Sequence, residues 1–207
     1  MPEIRALFWD VGGVLLTNAW DHEERNFAIE QFHLDKDEVE SRHKLCVQPF
    51  EEGHMSLDEY LQQTVFSQPR TFSPEEFKQY MFSLSKSKPK PDVLEIARGL
   101  RDRYLMATIN NESRELNQYR IATFQLTEYF QIFVSSCFVG LRKPDERIYR
   151  LVLDLTQRKA EECCFVDDRP VNVDAATKVG MRAILLQNAG QLKADFEKNG
   201  VDISVRR

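Results

Sequence analysis

The 207-residue sequence is poor in cysteine and has no long apolar run. Its four cysteines, Cys46, Cys137, Cys163 and Cys164, lack the spacing of a metal site, and the last two are neighbours inside an apolar segment. We therefore expect reduced cysteines in the core of a cytoplasmic protein. No stretch of about 18 apolar residues occurs and the N-terminal residues show no secretory pattern, so we expect no membrane partner.

Basic residues are fewer than acidic residues in this chain. The 28 lysines and arginines face 33 aspartates and glutamates, which gives a formal net charge of −5. Because no basic stripe stands out, we expect no nucleic-acid partner. Hydrophobic residues make up 42% of the sequence, enough to bury one α/β core with or without a modest insertion.

Short apolar runs of the kind found in strands buried on both faces recur along the chain. They are Ala6–Trp9, Leu105–Ile109, Ile132–Ser135, Cys163–Val166 and Ala183–Leu186. Between them, Asp92–Arg101 and Glu146–Leu155 carry apolar residues at helical spacing. This alternation predicts an α/β fold with a Rossmann-like parallel sheet and helices on both faces.

The segment from Thr17 to Lys88 interrupts the alternation. It contains no convincing strand, but Ser56–Glu59 has the pattern of a capping box, and Ser73-Pro74 places proline at a first helical position. We predict an all-helical cap insertion over residues 17–88, between core segments 1–16 and 89–207. The sequence Lys88-Pro89-Lys90-Pro91 is then an extended return linker.

Acidic residues follow two of the predicted strands. Asp10 ends the first strand and precedes Val11-Gly12-Gly13, and Asp167-Asp168 ends the fourth. Ligands of open α/β sheets bind at the carboxyl ends of strands, and two adjacent carboxylates favour a hard cation such as Mg²⁺. An ordinary turn at Asp10 and a helix cap at Asp168 are the alternatives.

Further polar residues lie near these strand ends in the sequence. Asn172 and Asp174 follow the acidic pair within the same loop or first helical turn. Lys143 precedes a predicted helix, where a lysine can hold both carboxylate and phosphate as a point charge. A solvated loop lysine is the alternative.

Taken together, these motifs resemble the haloacid dehalogenase superfamily. The matching segments are Phe8–Leu15, Asn110-Asn111, Arg142–Asp145 with Ile148-Tyr149, and Phe165–Arg169 followed by Asn172, Ala175-Ala176 and Gly180-Met181. Residues Phe50–Ser56 and the helical insertion also match the family's small cap. The resemblance is nearest to the subgroup of sugar-phosphate phosphatases, haloacid dehalogenases and the N-terminal phosphatase domain of epoxide hydrolases.

The resemblance implies a mechanism and a metal. Asp10 matches the nucleophile that forms an aspartyl-phosphate, so that one difficult displacement becomes two easier ones. The implied ligands of Mg²⁺ are Asp10, the Gly12 carbonyl and Asp168, with Asp167 beside them. Lys143 would counter charge on the nucleophile and the phosphoryl group.

The implied substrate-binding residues are Asn110, Asn111, Lys143 and Gly12, and Asn110 also counts among the catalytic residues. Two of these positions depart from the phosphatase pattern. Gly12 stands where the phosphatases carry a second aspartate as general acid and base, a loss typically worth on the order of 10²–10⁴-fold in rate. Asn110 replaces the serine or threonine that bonds phosphate, and its amide can still donate.

Three functions follow as hypotheses. The first is a Mg²⁺-dependent phosphatase for a small phosphorylated metabolite, slowed by the acid missing at Gly12. The second is a haloacid-type hydrolase, which needs neither that acid nor the metal and so has no use for Asp167-Asp168. The third is a catalytically weak protein that binds a phosphorylated ligand or a protein.

The cap should exclude water and set substrate choice. We name Trp20, His22 and His54 as candidate lining residues, with cap core or surface as the alternative for each. We expect a monomer or a weak homodimer.

Overall fold

The sheet places the Asp10 strand at its centre. A computed structural model describes residues 2–85 and 89–204. The strands are β1 (Ala6–Trp9), β2 (Leu105–Asn110), β3 (Ile132–Ser135), β4 (Cys163–Asp167) and β5 (Arg182–Leu185). They pair in parallel in the order β3-β2-β1-β4-β5. The predicted parallel sheet is confirmed, although β2 and β4 run one residue further and β5 lies one residue earlier than the sequence indicated.

Ten α-helices accompany the sheet within the described residues. They are α1 (His22–Gln31), α2 (Lys36–Glu51), α3 (Leu57–Thr64), α4 (Pro74–Leu84), α5 (Pro91–Leu100), α6 (Arg114–Thr123), α7 (Ser136–Val139), α8 (Glu146–Thr156), α9 (Pro170–Val179) and α10 (Ala189–Lys198). No helix among the described residues is both long and apolar enough to cross a bilayer.

Helices cover both faces of the sheet, as predicted. Successive strand residues point to opposite faces, so Leu7 and Trp9 of β1 join one core cluster and Phe8 joins another. The first cluster contains apolar residues of α5 and α10, and the second contains those of α8 and α9. Because both faces are buried, the strands are continuous apolar runs.

The insertion between β1 and α5 is all-helical in its described part and has its own apolar cluster. That cluster includes Phe50, Tyr60, Leu61, Phe77 and Met81, each at most 3% exposed. The predicted capping box at Ser56 is present, and Pro74 begins α4 as predicted, behind a second capping box at Ser73. The first N–H groups of a helix have no hydrogen-bond partner within the helix, and the side chains of these caps accept from them.

The two ends of the insertion lie side by side. The Lys90 N–H donates to the Leu15 carbonyl at 2.8 Å, and Leu16 forms a bridge with Pro89. The predicted return linker therefore holds the insertion against the end of β1, while its first residue, Lys88, lies outside the described residues.

Candidate active site

The site begins where the two central strands end. Trp9 of β1 pairs with Val166 of β4, so Asp10 and Asp167 leave the sheet side by side. The Asp10 N–H donates to the Val166 carbonyl at 2.9 Å, which fixes the backbone there. Asp10, Asp167 and Asp168 bring one carboxylate oxygen each within 4.8 Å of one another.

Lys143 lies between two of these carboxylates. Its Nζ is 2.8 Å from Asp10 Oδ1 and 2.7 Å from Asp167 Oδ2, and the residue is only 3% exposed. The Asn111 side chain fixes its backbone, since Oδ1 accepts from Lys143 N and Nδ2 donates to Lys143 O, both at 2.8 Å. Lys143 is therefore not a solvated loop lysine, and Asn111 holds it in place.

Asp167 and Asp168 have different surroundings. The Asp167 carboxylate is fully buried and accepts from Lys143, from Asn172 Nδ2 at 3.0 and 3.1 Å, and from Arg169 N at 2.8 Å. Its oxygens are therefore committed to protein donors. In contrast, Asp168 Oδ1 is buried without a hydrogen-bond partner among the described residues.

Asp168 does not cap α9, which was the alternative that the sequence left open for it. Asp174 does not cap the helix either. The N-cap of α9 is Arg169, with no side-chain capping bond, and Asp174 is exposed on α9. The unpartnered Oδ1 of Asp168 is the kind of oxygen that a hard cation would satisfy.

The electrostatics of the cluster also suit a cation. The pKa of Asp10 is raised to about 7: burial is the largest cause, Lys143 opposes it, and the Asp167 charge adds to it. Burial and the neighbouring Asp167 also raise the pKa of Asp168. One lysine thus leaves part of the carboxylate charge uncompensated, and the residues present fit a divalent ion with oxygen ligands.

The two glycines after Asp10 differ in what they require. Gly13 has a φ of +71°, and a Cβ there would lie 2.0 Å from Asp168 Oδ2. Gly12 does not have a positive φ, and its Cβ would meet Asn18 Oδ1 at 3.1 Å and Arg120 Nη1 at 3.8 Å. Only at Gly13 do the backbone conformation and the close contact with Asp168 both require glycine.

The two predicted asparagines do not play equal parts. Asn110 ends β2, is 2% exposed, and donates from Nδ2 to Asn117 Oδ1 at 3.3 Å. Its Oδ1 has no hydrogen-bond partner among the described residues. Asn111 lines the cavity above the site and Asn110 does not.

A cavity of about 230 Å³ lies between the strand ends and the insertion. Asp10, Gly12 and Lys143 line it from the core side. Trp20 lines it as predicted, whereas His22 and His54 do not. The insertion supplies instead the residues Arg25, His43, Val47 and Glu51, which the sequence did not single out.

The cavity wall also contains a buried ion pair that the sequence did not indicate. Glu112 Oε2 is 3.0 Å from Arg120 Nη1, and Arg120 Nη2 donates to the Thr17 carbonyl at 2.7 Å. Burial raises the pKa of Glu112 to about 7, although Arg120 opposes this. Glu112 lies two residues after the end of β2, so the strand-end argument used for Asp10 could have found it. Arg120 lies in the last turn of α6, and its place in the sequence gave no such signal.

Comparison with known proteins gives consistent matches. The model of a family described as haloacid dehalogenase-like hydrolase matches residues 4–180. Flavin mononucleotide hydrolase 1, chloroplatic, of Arabidopsis thaliana is 36% identical over 81 residues, or 39% of this chain and 33% of the plant protein. Bifunctional epoxide hydrolase 2 of Sus scrofa is 23% identical over 215 residues, or 94% of this chain and 38% of that protein. Both alignments cover well under two thirds of the relative's own length.

A solved structure shares the architecture. The HAD family enzyme of Bacteroides thetaiotaomicron, in complex with magnesium and inorganic phosphate, superposes with a TM-score of 0.72 at 20% identity. The match covers 89% of this chain and 94% of that chain. At 20% identity this similarity shows a shared fold and nothing about function.

Proposed function

Because the chain belongs to the haloacid dehalogenase-like hydrolase family, we propose that it is a Mg²⁺-dependent phosphatase for small phosphorylated metabolites. The observation that carries the proposal is the Asp168 carboxylate beside Asp10, whose buried Oδ1 has no hydrogen-bond partner among the described residues. A hydrolase without a metal would leave that oxygen unsatisfied, whereas a Mg²⁺-dependent phosphatase would place its cation there. The names of phosphatase relatives and the magnesium and phosphate bound to a structural neighbour support it.

The chain's own residues divide the work. Lys143 and the Val11 N–H both bond Asp10 Oδ1, so Oδ2 remains outside these bonds and would attack phosphorus. Lys143 would then balance charge on the phosphoryl oxygens. Asp167 and Asn111 are positioning residues, since both act on Lys143. Mg²⁺, when bound, would offset the repulsion between carboxylates and phosphoryl oxygens.

The size and lining of the cavity agree with a small polar substrate. Its volume of about 230 Å³ is below the usual range of drug-sized ligand pockets, roughly 300–1,000 Å³. Arg25, Arg142 and Arg169 line it together with Glu51 and Asp21. We propose a phosphorylated metabolite with several hydrogen-bonding groups.

A panel of phosphorylated metabolites assayed with Mg²⁺ and with a chelator tests the function. We expect turnover of at least one small phosphate monoester that depends on Mg²⁺. Asp10→Asn keeps the size but removes the nucleophilic charge, so its turnover should fall to background in a folded protein. Substantial activity of this variant would place the nucleophile elsewhere.

The same proteins test the dehalogenase alternative, which the glycine at position 12 keeps open. Chloride release from a 2-haloacid, unaffected by chelator and without phosphatase activity, would replace the phosphatase proposal with hydrolysis at carbon. We expect no release.

Calorimetric titration with Mg²⁺ tests the metal site directly. Asp168→Asn should weaken binding at least about tenfold, because it removes a charged ligand that protein donors do not satisfy. Asp174→Asn is the matched control, since Asp174 is an exposed aspartate on the adjacent helix and should bind as wild type does. Equal binding by wild type and Asp168→Asn would overturn the assignment.

A further inference from the structure

The space beside Gly12 contains the Arg120 guanidinium. Arg120 Nη1 lies 3.8 Å from the position of a Gly12 Cβ, and Asn18 Oδ1 lies 3.1 Å from it. Neither group can give up a proton at neutral pH, because an arginine stays charged and this amide atom is an oxygen. The position next to the nucleophile therefore has no acid of its own.

Arg120 connects that space to a carboxyl group. Its Nη1 is 3.0 Å from Glu112 Oε2, and Glu112 Oε1 accepts from Ser113 N at 3.0 Å. Arg120 is held in turn by the Thr17 carbonyl at the base of the insertion. Glu112 lines the same cavity as Asp10 and Gly12. We propose that Glu112 donates the proton to the leaving group, in place of the carboxylate missing at position 12, and that Arg120 positions it.

This proposal rests on the phosphatase function proposed above. Asp10 Oδ2 forms a bond to phosphorus as the bond from phosphorus to the ester oxygen breaks, and that oxygen takes the Glu112 proton to leave as an alcohol. The Glu112 carboxylate then takes a proton from the water that attacks the aspartyl-phosphate. Phosphate leaves, and both Asp10 and the Glu112 acid are restored.

Other titratable groups in the cavity are less suited to the role. Burial lowers the pKa of His43 to about 4, so the imidazole is neutral at neutral pH, and its Nδ1 is bonded to the Tyr60 hydroxyl at 2.8 Å. Asp21 caps α1 and pairs with Arg169 at 2.9 Å. Glu51 is therefore the one cavity carboxyl that resembles Glu112 closely enough to compete.

Glu112 and Glu51 differ in their connections. Burial raises the pKa of both, and Glu51 is paired with Arg142 at 2.8 Å. Two charged groups act on Glu112: Arg120 lowers its pKa and Glu51 raises it. The resulting pKa of about 7 suits a group that gives and takes a proton at neutral pH. Arg120 links Glu112, and not Glu51, to the space beside Gly12.

A ladder of phosphate monoesters, from p-nitrophenyl phosphate to alkyl phosphates, tests the role of Glu112. An alkoxide needs a proton to leave and a nitrophenolate needs little help, so Glu112→Gln should lower kcat/KM for alkyl phosphates on the order of 10²–10⁴-fold. For p-nitrophenyl phosphate the loss should stay within about tenfold. Partial unfolding would lower every rate by the same factor and leave the slope of the ladder unchanged.

Glu51→Gln is the matched control, since it removes another arginine-paired carboxyl, a partly buried one, from the same cavity. We expect it to shift all rates of the ladder by one common factor. A uniform loss in Glu112→Gln, or a steeper ladder in Glu51→Gln, would overturn the proposal while leaving the phosphatase function intact. Wild type that fails to hydrolyse even p-nitrophenyl phosphate with Mg²⁺ would instead overturn both.

Discussion

At the scale of single residues, the two adjacent glycines that follow the proposed nucleophile, Asp10, serve different purposes. Gly13 has a positive φ, and its missing side chain leaves the space that Asp168 occupies. Gly12 does not have a positive φ, although Asn18 Oδ1, 3.1 Å from a Cβ there, would have to give way. The departure from the phosphatase pattern at Gly12 is therefore chemical, and the backbone would accept an aspartate there.

Gly12→Asp should raise kcat/KM for alkyl phosphates and leave p-nitrophenyl phosphate nearly unchanged. The added carboxyl would stand where the related phosphatases carry their acid, and the selectivity follows from the different need of the leaving groups for a proton. In the Glu112→Gln background the gain should be larger, because that protein lacks both donors. Steady-state kinetics on the monoester ladder measures both effects.

Gly13→Ala is the control for this experiment. Its Cβ would lie 2.0 Å from Asp168 Oδ2 and its φ of +71° is strained for alanine, so both metal binding and melting temperature should fall. A Gly12→Asp protein that melts like wild type but shows no selective gain would mean that proton transfer is not the missing step.

At the scale of elements, the insertion depends on a cluster of aromatic rings. Phe77 of α4 is 1% exposed, and its ring centroid lies 5.0–6.2 Å from those of Trp20, Phe32, Phe66 and Phe72. Trp20 belongs to both this cluster and the cavity wall. Packing inside the insertion therefore helps to shape the cavity.

Phe77→Ala should lower the free energy of unfolding by about 3–5 kcal/mol, because it leaves a cavity among these rings. Phe27→Ala is the matched control: Phe27 is 47% exposed on α1, and its loss should change stability by no more than about 0.5 kcal/mol. Urea denaturation of the two variants measures the difference. Similar values for both would show that the rings do not stabilise the insertion.

At the scale of the whole molecule, buried titratable groups make folding depend on pH in opposite directions. Glu112 has a raised pKa, so its contribution to stability declines as the pH rises from about 4.5 to 7. His43 has a lowered pKa because of burial and the nearby Arg25, with Glu40 opposing, and its contribution declines as the pH falls. The neutral side chain is the form that the fold favours at both positions.

His43→Gln should make folding less sensitive to acid between pH 6.5 and 4. In this window the unfolded histidine binds a proton and the folded one does not, so wild-type stability falls as the pH falls. The difference in unfolding free energy between wild type and variant should change by up to about 3 kcal/mol across the window. Glu112 is common to both proteins and cancels.

Urea titrations of both proteins at pH 4.5, 5.5, 6.5 and 7.5 measure this difference. Parallel pH profiles would show that His43 titrates alike in the folded and unfolded chains. The Tyr60 hydroxyl, 2.8 Å from His43 Nδ1, can bond the glutamine amide, so a general loss of packing is not expected.

The sequence by itself determined the strands, the family and the acidic residues at the strand ends. These follow from local patterns: apolar runs mark buried strands, capping residues mark helix starts, and Asp10 and Asp167-Asp168 directly follow strands. Parallel strands end at one edge of a sheet, so the convergence of Asp10 and the acidic pair could be inferred. The confirmed parallel sheet and helical insertion belong to this group.

The tertiary structure alone decided what each polar side chain meets. Lys143 and Asp167, 24 residues apart, form a buried pair, Asn111 reaches the Lys143 backbone, and Glu112 meets Arg120. Trp20 and His43 face the cavity while His22 and His54 do not. Such contacts depend on how distant helices pack over the sheet, and residue spacing along one element carries no information about the residues of another.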